Sequence, residues 1–290
     1  YLKNSGYIFK AIITDKAYDE YDIKEGDFEK LAGDISAQFY LTNNLSSQNI
    51  KQLIIDENID LAISANWKYI FDSSFLGLFK NGILNLHLGN LPDYKGNATA
   101  NWAIINGETC IYANIHKMTI DLDAGDIISK AKIEIKGNTY IGDILDEVQK
   151  LAPILFEDSV KKIKNDSNYY LEKGEKKGLR CFPRLPEYSQ INWNENGENI
   201  YRLIRASSRP YSGAFTFLDN KKVIIWRANI FTPDNLFLAV PGHIVEINKD
   251  SGSVFVACKD CFIEVTEIEV DMSIVKPASF LKSIRLRFCS

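Results

Sequence analysis

The sequence predicts two joined folds: an α/β domain on a mainly parallel, doubly wound sheet, followed by a small closed barrel of short strands. Three observations point there. Residues 1 to about 170 alternate short apolar runs with helix-period segments, as strands crossed over by helices do. Beyond residue 190 helices nearly vanish, and five or six short β-rich runs follow one another between Gly and Asp-Asn turns. Between these halves lies residues 173–184, KGEKKGLRCFPR, whose Gly, Pro and Lys content reads as an exposed linker. Pro183 and Pro186 suit neither a helix interior nor a central strand, so the boundary falls between residues 175 and 190. The halves are thus 1–175 and 190–290.

Element by element, residues 1–6 read as a helix end and 7–14 as a strand. A doubly wound domain ordinarily opens with a strand before such a helix, so that strand is expected to precede the given sequence. Ser46 and Ser47 sit where caps belong for a helix through residues 51–57, with Ile50, Leu53 and Ile54 at helical spacing. Residues 60–65 read as a short buried strand, 71–80 as a helix, and 83–87 as the next strand. A helix over 98–106, a strand over 111–118 and an amphipathic helix over 143–164 complete the first half. In the second half a helix over 195–206 precedes strands at 213–218, 222–228, 236–240, 242–247, 253–257 and 262–270.

Composition narrows the class. Of 290 residues, 46% are hydrophobic and 25% charged, as in ordinary globular proteins. No run approaches the ~20 apolar residues of a membrane span. Five cysteines, an odd number scattered over both halves, fit a reducing cytoplasm better than a disulfide framework. Cys258-Lys-Asp-Cys261 invites a zinc or redox reading, but no second pair or nearby histidine completes four ligands. It lies between two β-rich runs and reads as a hairpin turn, and no metal is expected. The net charge of −4 argues against a nucleic-acid partner, which asks for a clustered basic face.

The chemistry concentrates in residues 82–126. Asn85 and His87 stand two apart on one strand and therefore on one face. Asp123 follows in the loop Asp121-Leu-Asp-Ala-Gly-Asp126, expected where a doubly wound sheet gathers its loops at the carboxyl ends of its strands. An amide donor, an imidazole and a carboxylate are the parts that acyl transfer to an amine needs: one binds the oxyanion, one moves protons, and one orients the base and favours its charged form. With only three histidines in the chain, one at this spot carries weight.

This segment resembles the folate-dependent formyltransferase family, whose signature is Asn-x-His, a Leu-Pro loop and a later Leu-Asp-x-Gly. Here these are Asn85-Leu-His87, Gly89-Asn-Leu-Pro92 and Leu122-Asp-Ala-Gly125. His116 matches a position recurring in part of the family. The second half is similar to that family's C-terminal domain in Cys181-Phe-Pro-Arg184, Ile191-Asn-Trp193, Ile204-Arg-Ala206 and Pro210-Tyr-Ser-Gly-Ala-Phe215. The resemblance implies a Rossmann-like domain followed by an OB-like barrel, with Asn85, His87 and Asp123 catalytic. It implies N10-formyltetrahydrofolate as co-substrate, with Trp67, Tyr69, Ile70, Leu122 and Gly125 on the folate side. Gly89, Asn90, Tyr94 and Lys95 fall on the acceptor side, although a lysine there reads first as a surface residue.

Three acceptors stay open. The region of residues 15–29, where tRNA-formylating relatives carry a basic insertion, is acidic here. A nucleotide-linked amino sugar is therefore the first reading, an aminoacylated tRNA the second, and water, in a hydrolase, the third. The β-rich half offers a surface on which two chains can pair as a homodimer.

Overall fold

The computed structural model describes residues 2–17, 23–232 and 238–289. It divides into two compact units, and the first comprises residues 1–96, 111–133 and 147–180. The second comprises 97–110, 134–146 and 181–290. The division in space is thus discontinuous in sequence, because the helix after the Leu-Pro loop and the start of the long helix join the second unit.

In the first unit, β1 (Ala11–Thr14), α1 (Glu25–Asp34) and β2 (Gln38–Leu41) form one crossover, with β2 parallel to β1. A second crossover runs through α2 (Gln48–Asp56), β3 (Ala62–Ala65), α3 (Ser73–Leu76) and β4 (Ile83–Leu88), with β4 parallel to β3. Helix α2 buries Ile50, Leu53 and Ile54, the positions its spacing predicts. Ser47 is its N-cap residue without a side-chain bond, while the Ser46 hydroxyl turns to Asp72, whose carboxylate caps α3 at the Phe75 N–H. The helix expected over 71–80 shrinks to these four residues, ended by the caps Asp72 and Gly77, while Phe71, Phe75 and Phe79 pack with Ile50, Ile54 and Ile83. Strand β3 is less buried than its apolar sequence suggested, with Ser64 its one buried residue.

After β5 (Lys95–Gly96) and α4 (Thr99–Asn106) come β6 (Cys110–Lys117) and β7 (Ile127–Glu134), then α5 (Ile141–Asn165) and β8 (Arg180–Cys181). The sheet order is β3-β4-β6-β7, and β6 runs antiparallel to β4. This departs from the parallel arrangement at the site itself. Lys117, the last residue of β6, pairs with Leu84 at the start of β4, so the following loop leaves the amino end of β4, not its carboxyl end. Strand β7 was not among the strands expected, although Lys130, Lys132 and Glu134 alternate with Ala131, Ile133 and Ile135.

The second unit places α6 (Gly197–Ser207) on a sheet of β9 (Ala214–Leu218), β10 (Lys221–Phe231), β11 (Ile244–Ile247), β12 (Val254–Ala257), β13 (Phe262–Val270) and β14 (Ser273–Val275), with α7 (Pro277–Phe280) after it. The strand order is β11-β12-β13-β10-β9, and the chain end closes it: Cys289 bridges Phe217 on β9 while Arg287 bridges His243 beside β11. Trp193, stacked on Phe288, fills the core with Ile204, Val223 and Val265. Of the strand expected over 236–240, residues 238–240 are not strand and the rest lies outside the described residues. Cys258 and Cys261 close the β12–β13 hairpin, with the Cys258 N–H donating to the Cys261 carbonyl at 3.0 Å. Among the described residues no helix is long and apolar enough to cross a membrane.

Candidate active site

Strand β4 presents Asn85 and His87 on one face, and β6 places His116 directly opposite Asn85. The loop after β6 folds back over that face, so Asp123 reaches both imidazoles. Its Oδ2 lies 3.5 Å from His87 Nδ1 and its Oδ1 3.5 Å from His116 Nε2. The Gly96 N–H donates to Asp123 Oδ2 at 2.7 Å. Sequence placed Asp123 in this company, but the route is a fold-back over the sheet face, not a cluster at carboxyl strand ends.

The hydrogen bonds select the tautomers. His87 Nε2 sits 2.7 Å from the Tyr94 carbonyl, an acceptor only, so Nε2 carries the proton and Nδ1 is the basic atom. His116 Nδ1 faces the Lys117 carbonyl at 3.2 Å, leaving Nε2 to accept from the Asn85 amide at 3.2 Å. That bond fixes the Asn85 amide and leaves its second N–H to donate elsewhere. Asn85 is partly exposed, whereas His87 is 7% and His116 1% exposed.

Burial decides the charge on His87. It lowers the imidazole pKa below the usual value, outweighing the opposite pull of Asp123; His116 and Lys95 add to the lowering. Asp123 does favour the charged imidazole, as expected, but burial outweighs it and His87 rests neutral, the form a general base requires. Asp123 behaves oppositely. Burial alone would raise it, but His116, His87 and the Gly96 N–H outweigh that and hold it at about 2.

Local backbone makes this geometry. Gly89 is required because a Cβ would lie 2.4 Å from the Tyr94 carbonyl oxygen and 2.6 Å from His87 Nε2. Tyr94 (φ 58°) and Asp123 (φ 43°) both hold left-handed backbone, which costs about 1 kcal/mol or more at a non-glycine residue. Gly125 has ordinary φ, and its requirement is contact: a Cβ would sit 1.5 Å from the Lys117 carbonyl oxygen. The left-handed residue of the turn is Asp123 itself.

The remaining candidates are distributed. Trp67, Tyr69 and Ile70 line a cleft of ≈ 100 Å³ with Asn43, Asn44 and Leu45. Trp67 packs on Tyr69 and Phe71, and Ile70 is 86% exposed. Leu122 is exposed beside Asp123. Asn90 starts the turn that brings its carbonyl to the Asp93 N–H. Lys95 corrects the surface reading: it is 4% exposed and its ammonium donates to the Glu175 carbonyl.

That contact exposes what sequence missed. Residues 173–179, read as an exposed linker, pack on the site. Asp126 accepts from the Gly174 N–H and the Lys173 ammonium, each at 2.9 Å, and Lys176 pairs with Asp121 at 2.7 Å. Asp121 and Asp126 thus tether the loop to this segment. The available signal was charge complementarity between that acidic loop and a basic stretch some fifty residues on, which a local reading does not pair.

A formyl transferase family model matches residues 9–160, and the formyl transferase C-terminal domain model matches residues 185–285. The chain belongs to the formyl transferase family. It is 29% identical over 282 residues to the methionyl-tRNA formyltransferase of Ruminiclostridium cellulolyticum, covering 94% of this chain and 87% of that one. It is 30% identical over 216 residues to the bifunctional polymyxin resistance protein ArnA of Wigglesworthia glossinidia brevipalpis, covering 71% of this chain and 30% of the relative. Among solved structures its fold is similar to WlaRD, a sugar 3N-formyl transferase, at a TM-score of 0.61 and 19% identity, covering 91% of this chain and 88% of the other. It is also similar to HypX from Aquifex aeolicus in complex with tetrahydrofolic acid, at 0.64 and 14% identity, covering 96% of this chain and about half (48%) of that one.

Proposed function

We propose that this formyl transferase moves a formyl group from N10-formyltetrahydrofolate to the amine of a nucleotide-linked amino sugar. The observation that carries the reading is one network in which His116 fixes the Asn85 amide, the Tyr94 carbonyl fixes the tautomer of neutral His87, and Asp123 faces Nδ1, where it stabilises the proton once the base has taken it. The acceptor amine attacks the formyl carbon, and the oxygen that becomes anionic takes the second Asn85 N–H. The amine proton passes to the His87–Asp123 pair, with Nδ1 the basic atom, and then to N10 as the carbon–N10 bond breaks. The products are the formamide and tetrahydrofolate. Ile70 and Leu122, exposed apolar side chains, with Trp67 and Tyr69 at the cleft, supply surface for the pterin. Gly89, Asn90 and Tyr94 form the loop that meets the acceptor.

WlaRD was solved in the presence of dTDP and 5-N-formyl-THF, which supports both substrate classes. The acidic stretch 15–29 weighs against a polyanionic acceptor. A second reading, an aminoacylated tRNA, is favoured by the methionyl-tRNA formyltransferase relative that spans both halves. Tetrahydrofolate release is followed with wild type and His87→Ala, against nucleotide-linked amino sugars, charged initiator tRNA, or no acceptor. Sugar-dependent release reduced about 10²–10⁴-fold in the variant is expected. Release with tRNA alone moves the assignment to the second reading, and release without acceptor moves it to a hydrolase.

A further inference from the structure

The family models end at residue 160 and resume at 185, so the intervening segment belongs to neither matched span. Part of it nevertheless touches the loops that carry both partners of His87. On the Tyr94 side, the Lys95 N–H donates to the Leu179 carbonyl at 2.9 Å, and the Leu179 N–H donates to Asp93 at 2.7 Å. The buried Lys95 ammonium holds the Glu175 carbonyl, and a Cβ on Gly178 would sit 1.9 Å from the Pro92 carbonyl oxygen. On the Asp123 side, a Cβ on Gly174 would sit 2.2 Å from the Ala124 carbonyl oxygen and 2.4 Å from the Gly125 carbonyl carbon. Gly174 has ordinary φ, so its requirement is close approach and not backbone freedom. Asp126 binds the Gly174 N–H and Lys173 next to that contact.

We propose that residues 173–179 are a positioning clamp for His87. By pinning the Tyr94 loop and the Asp123 loop to one rigid segment, the clamp sets the separation between the acceptor on Nε2 and the carboxylate facing Nδ1. A simple connector between two halves has no reason to approach two active-site loops closer than a methyl group allows, nor to bury a lysine at the junction. The catalytic weight of the clamp rests on the role given to His87 above; its geometry does not. Gly174, Gly178 and Lys95 are positioning residues, since they act through Tyr94 and Asp123.

The test uses the full chain with Gly174→Ala, and two readouts. The first is the steady-state kinetics of formyl transfer across pH. The second is the ¹⁵N spectrum of the His87 ring, which needs no substrate and is tractable with three histidines in the chain. A kcat about 10²-fold lower is expected, with KM for the donor within about threefold. Loosening the clamp admits water to a ring that now faces Asp123, His116 and Lys95, so the acid limb of the profile moves up towards pH 6.5, and the Nε2–H tautomer signature weakens. Gly26→Ala, whose Cβ meets open space, is the matched control and is expected to match wild type. If Gly174→Ala does not fold, Asp93→Ala, which removes the exposed acceptor of the Leu179 N–H, takes its place. A folded variant with wild-type kcat overturns the clamp, and so does a lowered kcat with the His87 spectrum unchanged. Failure of the catalytic reading shows separately, as full activity in His87→Ala.

Discussion

Among the described residues, two clusters of chemically capable side chains differ in how they are held. In the first unit Asn85, His87, His116 and Asp123 meet across two strands and a folded-back loop. In the second, Cys258, Asp260 and Cys261 lie within four residues, their ligand atoms within 4.8 Å of one another. At the hairpin, polar groups are answered by the turn itself and by the start of α6. The Cys258 thiol meets the Cys261 carbonyl at 2.9 Å, and Asp260 accepts the Gly197 N–H at 2.8 Å at the start of α6. Burial and these neighbours push the Cys261 thiol up to about 12, far from a reactive thiolate. At the histidines, left-handed residues, glycines without room for a methyl, and a neutral base beside an ionised carboxylate are held together from outside. Left-handed backbone at Tyr94 and Asp123 and a buried neutral base beside an ionised carboxylate separate the candidate site from a stable turn.

Asn85→Ala tests the sharpest side of this contrast. With the amide gone, kcat is expected to fall about 10²–10³-fold while the fold survives, because Asn85 is a partly exposed donor. Gly125→Ala tests whether the loop is held by contact. A Cβ 1.5 Å from the Lys117 carbonyl forces the loop to move, and a loss of about 1–3 kcal/mol in denaturant unfolding is expected. Unchanged stability there would make the loop adaptable and the comparison weaker.

The titration behaviour gives a smaller effect. His87 has a folded pKa below its ordinary 6.5, so the unfolded chain takes up the proton first as pH falls. Stability is therefore full above pH 6.5 and declines below it until the folded pKa is passed, a slope that His87→Gln removes. Asp123, held at about 2 against 3.8, adds a second decline between those values. The acid limb of kcat/KM should accordingly lie below pH 6.5. Cys258→Ser is the mildest test. Formyl transfer should match wild type, and stability should change by about 1 kcal/mol, as a hydroxyl keeps the bond to Cys261. Loss of activity there would dissolve the contrast between the two sites.

Much of this was legible beforehand, for physical reasons. Strand periodicity put Asn85 and His87 on one face, and α2, α6 and β13 were marked by apolar spacing that burial enforces. The misreadings share a cause. Lys95 and residues 173–179 look solvated because lysines usually are, and only packing reveals a buried ammonium with a carbonyl partner. The barrel-closing chain end at 286–289 depends on partners far along the chain.

By itself, the sequence determined the class of the two halves and marked the residues proposed to react, because side-chain periodicity and residue chemistry are local properties. The tertiary structure alone decided the antiparallel course of β6, the tautomer and neutrality of His87, and the conversion of a linker into part of the site. Those depend on burial and on which groups meet across eighty residues, and neither is written in any single stretch of chain.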